Sequence, residues 1–307
     1  MKLKLNKTKI KRLIYGMNFT DGLIYKIFLY LLLITFSYIY LYPLLYMGVT
    51  SIMGVDDLIN QGVNWVPTSF ETTNFRRAIE VLNLGSAIFS TTGYVLQVSI
   101  AATVSSALIG YGFARYEFPL KKTFFVLMLT TFILPPQLLM VAQAPLFNQL
   151  GLINTIWSMV LPALFGQGIN QAIFILIFYQ FFRSIPSVLN ESAEIDGASQ
   201  FKVFYKINLP LAVPSIVIVF LFAFVWYWND TFMVSLYARS IDTLPIMLQR
   251  FRSSYETLYP SGSDASTINE GIIMAGNVLT ILPLLVLYFV GQRQFTQSID
   301  KTGITGE

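Results

Sequence analysis

What most constrains this chain is the distance between its charged side chains. Five intervals carry no Asp, Glu, Lys or Arg: Ile27 to Val55, Val81 to Ala114, Thr123 to Phe182, Ile207 to Asn229 and Gly271 to Gln292. A helix needs roughly 20 apolar residues to cross the hydrocarbon of a bilayer, so each interval holds at least one crossing. The third covers 60 residues and is divided by the polar stretch Asn148 to Asn154. The pattern predicts an all-α polytopic membrane protein with six transmembrane helices, near 27–49, 88–112, 123–145, 155–182, 210–229 and 272–291. Composition agrees, with 12% charged residues against roughly 25% in soluble domains.

An even number of crossings puts both termini on one side, and Lys and Arg in short loops favour the cytoplasm. With the N-terminus inside, the inner segments hold 15 of the 20 basic residues: Lys2, Lys4, Lys7, Lys9, Lys11, Arg12 and Lys26, then Arg115, Lys121, Lys122, Arg183, Lys202, Lys206, Arg293 and Lys301. The outer segments keep Arg76, Arg77, Arg239, Arg250 and Arg252. Both termini are therefore expected in the cytoplasm. The expected division is a basic cytoplasmic segment 1–26, a membrane domain 27–292 and a cytoplasmic tail 293–307. Within the membrane domain, 184–208 is an inner loop and 235–270 a polar outer loop. The first apolar run is too long for a signal-peptide core and reads as a retained span. The basic and apolar residues alternating from Lys2 to Leu13 suit a topology anchor or a segment lying on the anionic inner leaflet.

The residue types that are missing narrow the chemistry. There is no Cys and no His, which removes Cys or His metal sites, thiol nucleophiles and Ser-His-Asp triads. No catalytic residue, metal site or nucleic-acid partner is expected. The predicted spans contain no charged side chain, whereas ion- and proton-driven carriers usually keep one inside the membrane. Asp230 lies at the outer end of the fifth span. A secondary carrier or channel remains the alternative from another class, because Na⁺ can also be held by carbonyls and hydroxyls. No Gly-x-x-x-x-Gly-Lys-Ser/Thr phosphate loop occurs, so energy for active transport has to come from a partner docked on the cytoplasmic side.

The inner loop is built for such a partner. Pro186 ends the fourth span's continuation, Ser187 is the expected N-cap of a short helix carrying Glu191 and Glu194, and Asp196-Gly197 is a turn signal. Phe201 and Phe204 then repeat at helical spacing, and Leu209-Pro210 opens the next span. Two short helices cannot bury these apolar residues alone.

Glu191-Ser192-Ala193, Gly197 and Ile207-Asn208-Leu209-Pro210 resemble the EAA loop of permease subunits in binding-protein-dependent ABC importers. That pattern is Glu-Ala-Ala, three residues, Gly, nine residues, Ile-x-Leu-Pro; Ser192 departs from its second Ala by a small-for-small change. The resemblance implies that the loop is a coupling helix docked on an ATPase subunit, with Glu191, Ser192, Ala193, Asp196, Gly197, Ala198, Phe201, Leu209 and Pro210 forming the coupling surface. It extends over nearly the whole chain. Tyr111 to Pro119, Pro135-Pro136, Gly151 to Thr155, Trp228-Asn229-Asp230 and Gly303-Ile304-x-Gly306 look like the carbohydrate-uptake group, in particular the maltose-type second permease subunit. Implied partners are a second permease subunit of different sequence, two ATP-binding subunits that hold the ATP and Mg, an extracytoplasmic solute-binding protein, and membrane lipid. This chain itself holds no cofactor and is no enzyme. Importers of peptides or polyamines share the loop and remain the nearer alternative.

A sugar path needs hydrogen-bonding and aromatic groups in an apolar setting. Candidates are Gln137 and Gln143 in the third span, Asn170 and Gln171 in the fourth, and Trp226, Trp228, Asn229 and Asp230 closing the fifth. Buried amides also bond across helices, so each has a structural reading beside the functional one. By resemblance the outer loop reaches into the binding protein, with Arg250, Arg252, Tyr255 and Glu256 as contacts; the plain alternative is a connecting loop. Tyr38, Tyr42 and Tyr46 share one helix face and read as an interface belt or a partner contact. Pro135-Pro136 should break the third span.

Overall fold

A computed structural model describes residues 14–16, 22–60, 62–63, 65–260, 262 and 267–303, without the side chains of 136, 137 and 293–303. The basic stretch Lys2 to Leu13, residues 304–307 and the side chain of Gln137 lie outside the described residues. Among the described residues every regular element is helical.

Three helices among the described residues are long and apolar enough to cross a membrane: α1 (Leu23–Thr50), α4 (Leu84–Arg115) and the stretch Glu270–Gln292 of α16 (Glu270–Gly303). Three bent pairs reach that measure only when each is taken together, so the chain carries three to six candidate spans. The chain divides into two compact units.

The first unit, 1–78 with 267–278, contains α1, the single turn α2 (Val55–Ile59), most of α3 (Thr73–Val81) and the start of α16. Side-chain bonds close its loops. Asn74 Nδ2 donates to the carbonyls of Ser51 (3.1 Å) and Met53 (2.9 Å). Asp57 accepts from the Thr68 backbone N–H (2.9 Å) and hydroxyl (2.5 Å), and Tyr46 donates to Glu270 at 2.8 Å. Tyr38, Tyr42 and Tyr46 do share a face, their rings 5.7 and 6.4 Å apart in succession.

The second unit, 79–266 with 279–307, is organised around α4. Its remaining helices are α5 (Lys121–Ile133), α6 (Pro136–Gln149), α7 (Trp157–Leu164), α8 (Gln171–Ser184), α9 (Ser187–Ile195), α10 (Gln200–Val203), a π-turn at Phe204–Asn208, α11 (Leu209–Leu211), α12 (Val213–Asn229), α13 (Phe232–Tyr237), α14 (Leu244–Gln249) and α15 (Phe251–Leu258). Helix α4 packs against α7, α8, α12 and α14, and between Val98 and Tyr111 its buried residues are small: Ser99, Ala101, Ala102, Thr103, Ser105, Ser106, Ala107 and Gly110. Small side chains let backbones close in where the surroundings are apolar. At Gly110 a Cβ would stand 2.6 Å from Phe178 Cβ and 2.9 Å from the Ile175 carbonyl.

The structure differs from the sequence reading at three places. The stretch read as one span over 155–182 is two helices, α7 and α8, separated at Phe165–Asn170, where Gly166 and Asn170 have φ of +76° and +49°. The segment expected to be a polar loop, 235–270, is not an open loop. Its residues Tyr237, Leu244, Ile246, Phe251 and Tyr255 are buried and form α13 to α15, pinned to α4 by Leu244 N–H to Thr91 Oγ1 (2.9 Å) and Ser90 Oγ to the Asp242 carbonyl (2.6 Å). Ser187 is the first residue of α9 and Pro186 caps it, since Pro needs no intrahelical partner for the N–H it lacks. Pro135 does interrupt the third span, the two halves meeting at 101°.

Candidate functional site

Residues Ser187 to Leu211 join α8 to α12. After a 69° bend at Ile185-Pro186, α9 ends on two backbone bonds: Gly197 N–H to the Glu194 carbonyl (3.0 Å) and Ala198 N–H to the Ala193 carbonyl (2.9 Å). These form a Schellman closure, which needs a left-handed residue after the cap; Gly197 supplies it at φ +78°. Ala193, Gly197 and Ala198 thus owe their places to one turn. Helix α10 starts on Ser199, whose hydroxyl accepts from Lys202 N–H. The π-turn precedes Pro210, whose missing N–H and bulky ring disturb the ladder four residues back. A further 73° bend leads into α12.

Glu191, Ser192, Asp196, Gly197, Phe201 and Pro210 are exposed, while Ala193, Ala198 and Leu209 are half-buried. Beside them Val188, Leu189, Ile195, Phe201 and Tyr205 present an apolar face, Ile195 at 86% exposure and Phe201 at 75%. Phe204, by contrast, is buried against Tyr111 and Phe182, with ring centroids 4.6 and 6.3 Å away. Arg115 donates to the Ile185 carbonyl at 2.8 Å. The segment is therefore gripped from within by α4 and α8 and leaves its acidic and apolar residues outward.

The second region is a cleft in the same unit, about 90 Å³ in volume and so roomy enough for several waters. Its wall is the interruption between α7 and α8, together with Gln143, Phe132, Tyr227 and Tyr237. Non-helical backbone in apolar surroundings has to find partners for its polar groups, and here it does. Gly168 N–H donates to Gln171 Oε1 (2.7 Å) and Ile169 N–H to the Tyr227 hydroxyl (3.1 Å). Gln171 Nε2 reaches the carbonyls of Ala163 (2.8 Å) and Ala102 (3.2 Å) and the hydroxyls of Ser105 (2.6 Å) and Ser106 (3.2 Å). A Cβ at Gly168 would collide with the Tyr227 hydroxyl and with Gln171. The tight turn Gly151–Asn154, with both end residues at positive φ, leans on α13: Asn154 N–H donates to the Tyr237 carbonyl at 2.7 Å.

The cleft brings together three of the eight residues expected on a path, Gln143, Asn170 and Gln171. Gln171 is fully buried and its amide is engaged by the protein, whereas Gln143 is half-buried and Asn170 exposed. Trp226 stacks on Phe174 at 5.0 Å and the buried Trp228 on Phe224 at 5.7 Å; Asn229 donates to its own helix at Val225. Asp230 caps the start of α13 through Met233 N–H (3.0 Å), and burial pushes its carboxyl up to about 6 against the pull of the Met233 and Phe232 N–H groups. At α15 Arg250, Arg252 and Glu256 are exposed, Arg252 and Glu256 pairing at 3.8 Å, whereas Tyr255 is wholly buried with its ring 4.8 Å from Tyr259. Sequence reasoning missed Gly168 and Asn208. The Gly-Gln-Gly-Ile-Asn run at 166–170 was the available signal for the break.

Residues 106–301 match the family model described as the binding-protein-dependent transport system inner membrane component. A probable ABC transporter permease protein of Bacillus subtilis, YurM, is 29% identical over 91% of this chain and 87% of its own length. The arabinooligosaccharides transport system permease protein AraQ of Halalkalibacterium halodurans is 28% identical over 88% of this chain and 93% of its own. Among solved structures, a bacterial ABC transporter involved in import of the acidic polysaccharide alginate superposes with a TM-score of 0.69 at 19% identity, over 88% of this chain and 96% of that one, which is a likeness of fold. With well over half of its length inside the family model, the all-helical chain belongs to the inner-membrane components of binding-protein-dependent transport systems, the multi-pass permease subunits of ABC transporters.

Proposed function

We propose that this permease takes up a sugar or oligosaccharide, delivered by an extracytoplasmic binding protein and driven by ATP hydrolysis on partner subunits. The sugar assignment is supported by the relative named for arabinooligosaccharides and by the patterns quoted above. The coupling assignment rests on one observation: the Glu191 to Pro210 segment holds a rigid, internally anchored helix pair whose outward face mixes acidic residues with exposed Ile195 and Phe201. A face of that kind needs a protein surface against it.

In this reading six spans run with both termini in the cytoplasm, residues 1–26 and 293–307 flank the membrane domain, and Glu191, Ser192, Ala193, Asp196, Gly197, Ala198, Phe201, Leu209 and Pro210 meet the ATPase. A second permease of different sequence completes the pathway and two ATPase subunits bind ATP and Mg. The solute passes the cleft at Gln143 and Asn170, where amides and the rings of Phe132 and Tyr237 offer hydrogen bonds and apolar faces. Gln171 braces that wall. Arg250, Arg252 and Glu256 meet the binding protein, while Tyr255 supports them from beneath.

The test is affinity recovery of the tagged chain from its native membranes, with labelled-oligosaccharide uptake measured in the same cells. A second permease and an ATPase are expected with the unaltered chain, and the ATPase is expected to be lost with Glu191→Lys. Recovery of the chain alone, or uptake insensitive to ATP depletion, would favour a carrier or channel; coupled uptake of peptides or polyamines but not sugars would replace the solute and leave the mechanism standing.

A further inference from the structure

We infer that Asn208 is a positioning residue that ties the docking helix α9 to the central helix α4, so that a displacement of α9 is handed to the wall of the cleft; this rests on the coupling reading above. Asn208 is completely buried, on a π-turn, and such wide turns recur at functional places in helices. Its Nδ2 lies within reach of three acceptors on three segments: Asn190 Oδ1 on α9 (3.1 Å), the Val203 carbonyl on α10 (3.3 Å) and the Tyr111 hydroxyl on α4 (3.4 Å). Two N–H bonds thus face three acceptors, while Oδ1 of the same amide is buried with no partner. Buried amides are as a rule fully bonded. An oversubscribed donor beside an idle acceptor leaves room for a second arrangement, in which Oδ1 accepts the Tyr111 hydroxyl and Nδ2 stays with Asn190.

Tyr111 is itself held by Phe182, Phe204 and Tyr116, at 5.1, 4.6 and 5.8 Å between ring centroids. The same helix carries Ser105 and Ser106, whose hydroxyls bond Gln171 at the cleft. One rigid helix therefore links the amide joint at its inner end to the clamp on the broken span.

The experiment uses the complete importer in liposomes with its binding protein, and reads uptake per ATP hydrolysed alongside the amount of ATPase recovered. Asn190→Ala and Tyr111→Phe each remove one partner without touching the buried amide; Asn208→Leu removes the joint. Each is expected to recover the ATPase and hydrolyse ATP at the wild-type level. Uptake per ATP should fall, by about tenfold in Asn208→Leu, and pairing it with Asn190→Ala should add nothing. Unchanged uptake per ATP in both Asn190→Ala and Tyr111→Phe would overturn the inference, as would effects that simply multiply, or losses that track the ATPase recovered. Failure of the coupling reading itself looks different, because the unaltered chain would then recover no ATPase.

Discussion

A single half-buried carboxyl shows how closely the C-terminal end of α12 is filled. Asp230 has one oxygen bonded to Met233 N–H and the other buried without a partner. With its carboxyl raised to about 6, above an ordinary value of roughly 4, ionisation costs the folded state more than the unfolded one. The sign follows: its contribution to stability is fullest below the ordinary value, falls as pH rises towards 6, and stays low above that. Asp230→Asn keeps an acceptor for Met233 N–H and abolishes the titration. Thermal unfolding in detergent should show the variant gaining on the wild type at about pH 7 and losing that advantage at roughly pH 4. An equal difference at both pH values would mean that Asp230 does not ionise in this window.

At the scale of elements, the end of α9 depends on one backbone conformation. A Cβ at Gly197 would meet nothing within 4 Å, so the position resists substitution through φ +78° alone, at about 1–2 kcal/mol for a residue with a side chain. Gly197→Val should insert normally yet lose uptake while ATP hydrolysis continues, and Gly197→Asn, which tolerates that conformation better, should retain most of it; normal uptake by the Val variant would remove Gly197 from the coupling role. This turn was legible in the sequence because Asp196-Gly197 carries its chemistry locally. The uncharged intervals were legible for the same reason, since burial in lipid acts on every residue of a span. The break at Phe165–Asn170 was not, because uncharged residues populate both the helices and the gap, and only Gly166, Gly168 and Asn170 hint at it. Burial of Tyr255 and Leu244 was hidden because α13 packs on α7 and α14 on α4, both distant in sequence, and α15 in turn packs on α14. Asn208 looked like the variable position of a motif; its three partners lie 5, 18 and 97 residues away.

For the whole molecule, the absence of Cys makes sidedness directly measurable. Single replacements Ser199→Cys and Ser253→Cys, at exposed positions on α10's cap and on α15, should react with a membrane-impermeant maleimide from opposite faces, Ser253→Cys in intact cells and Ser199→Cys only in inverted vesicles. Labelling of both from one face would discard the six-span topology. The interruption between α7 and α8 has a last consequence. Intact helices insulate, because each uses up its own polar backbone and leaves the bilayer's core roughly 30 Å thick to ions. Where the rod is cut, that dielectric thickness is made instead by side chains such as Leu139, Met159 and Pro162 around the cleft. In the proposed reading, the place that offers a solute its hydrogen bonds is thus also one where insulation rests on side chains rather than on an unbroken helix.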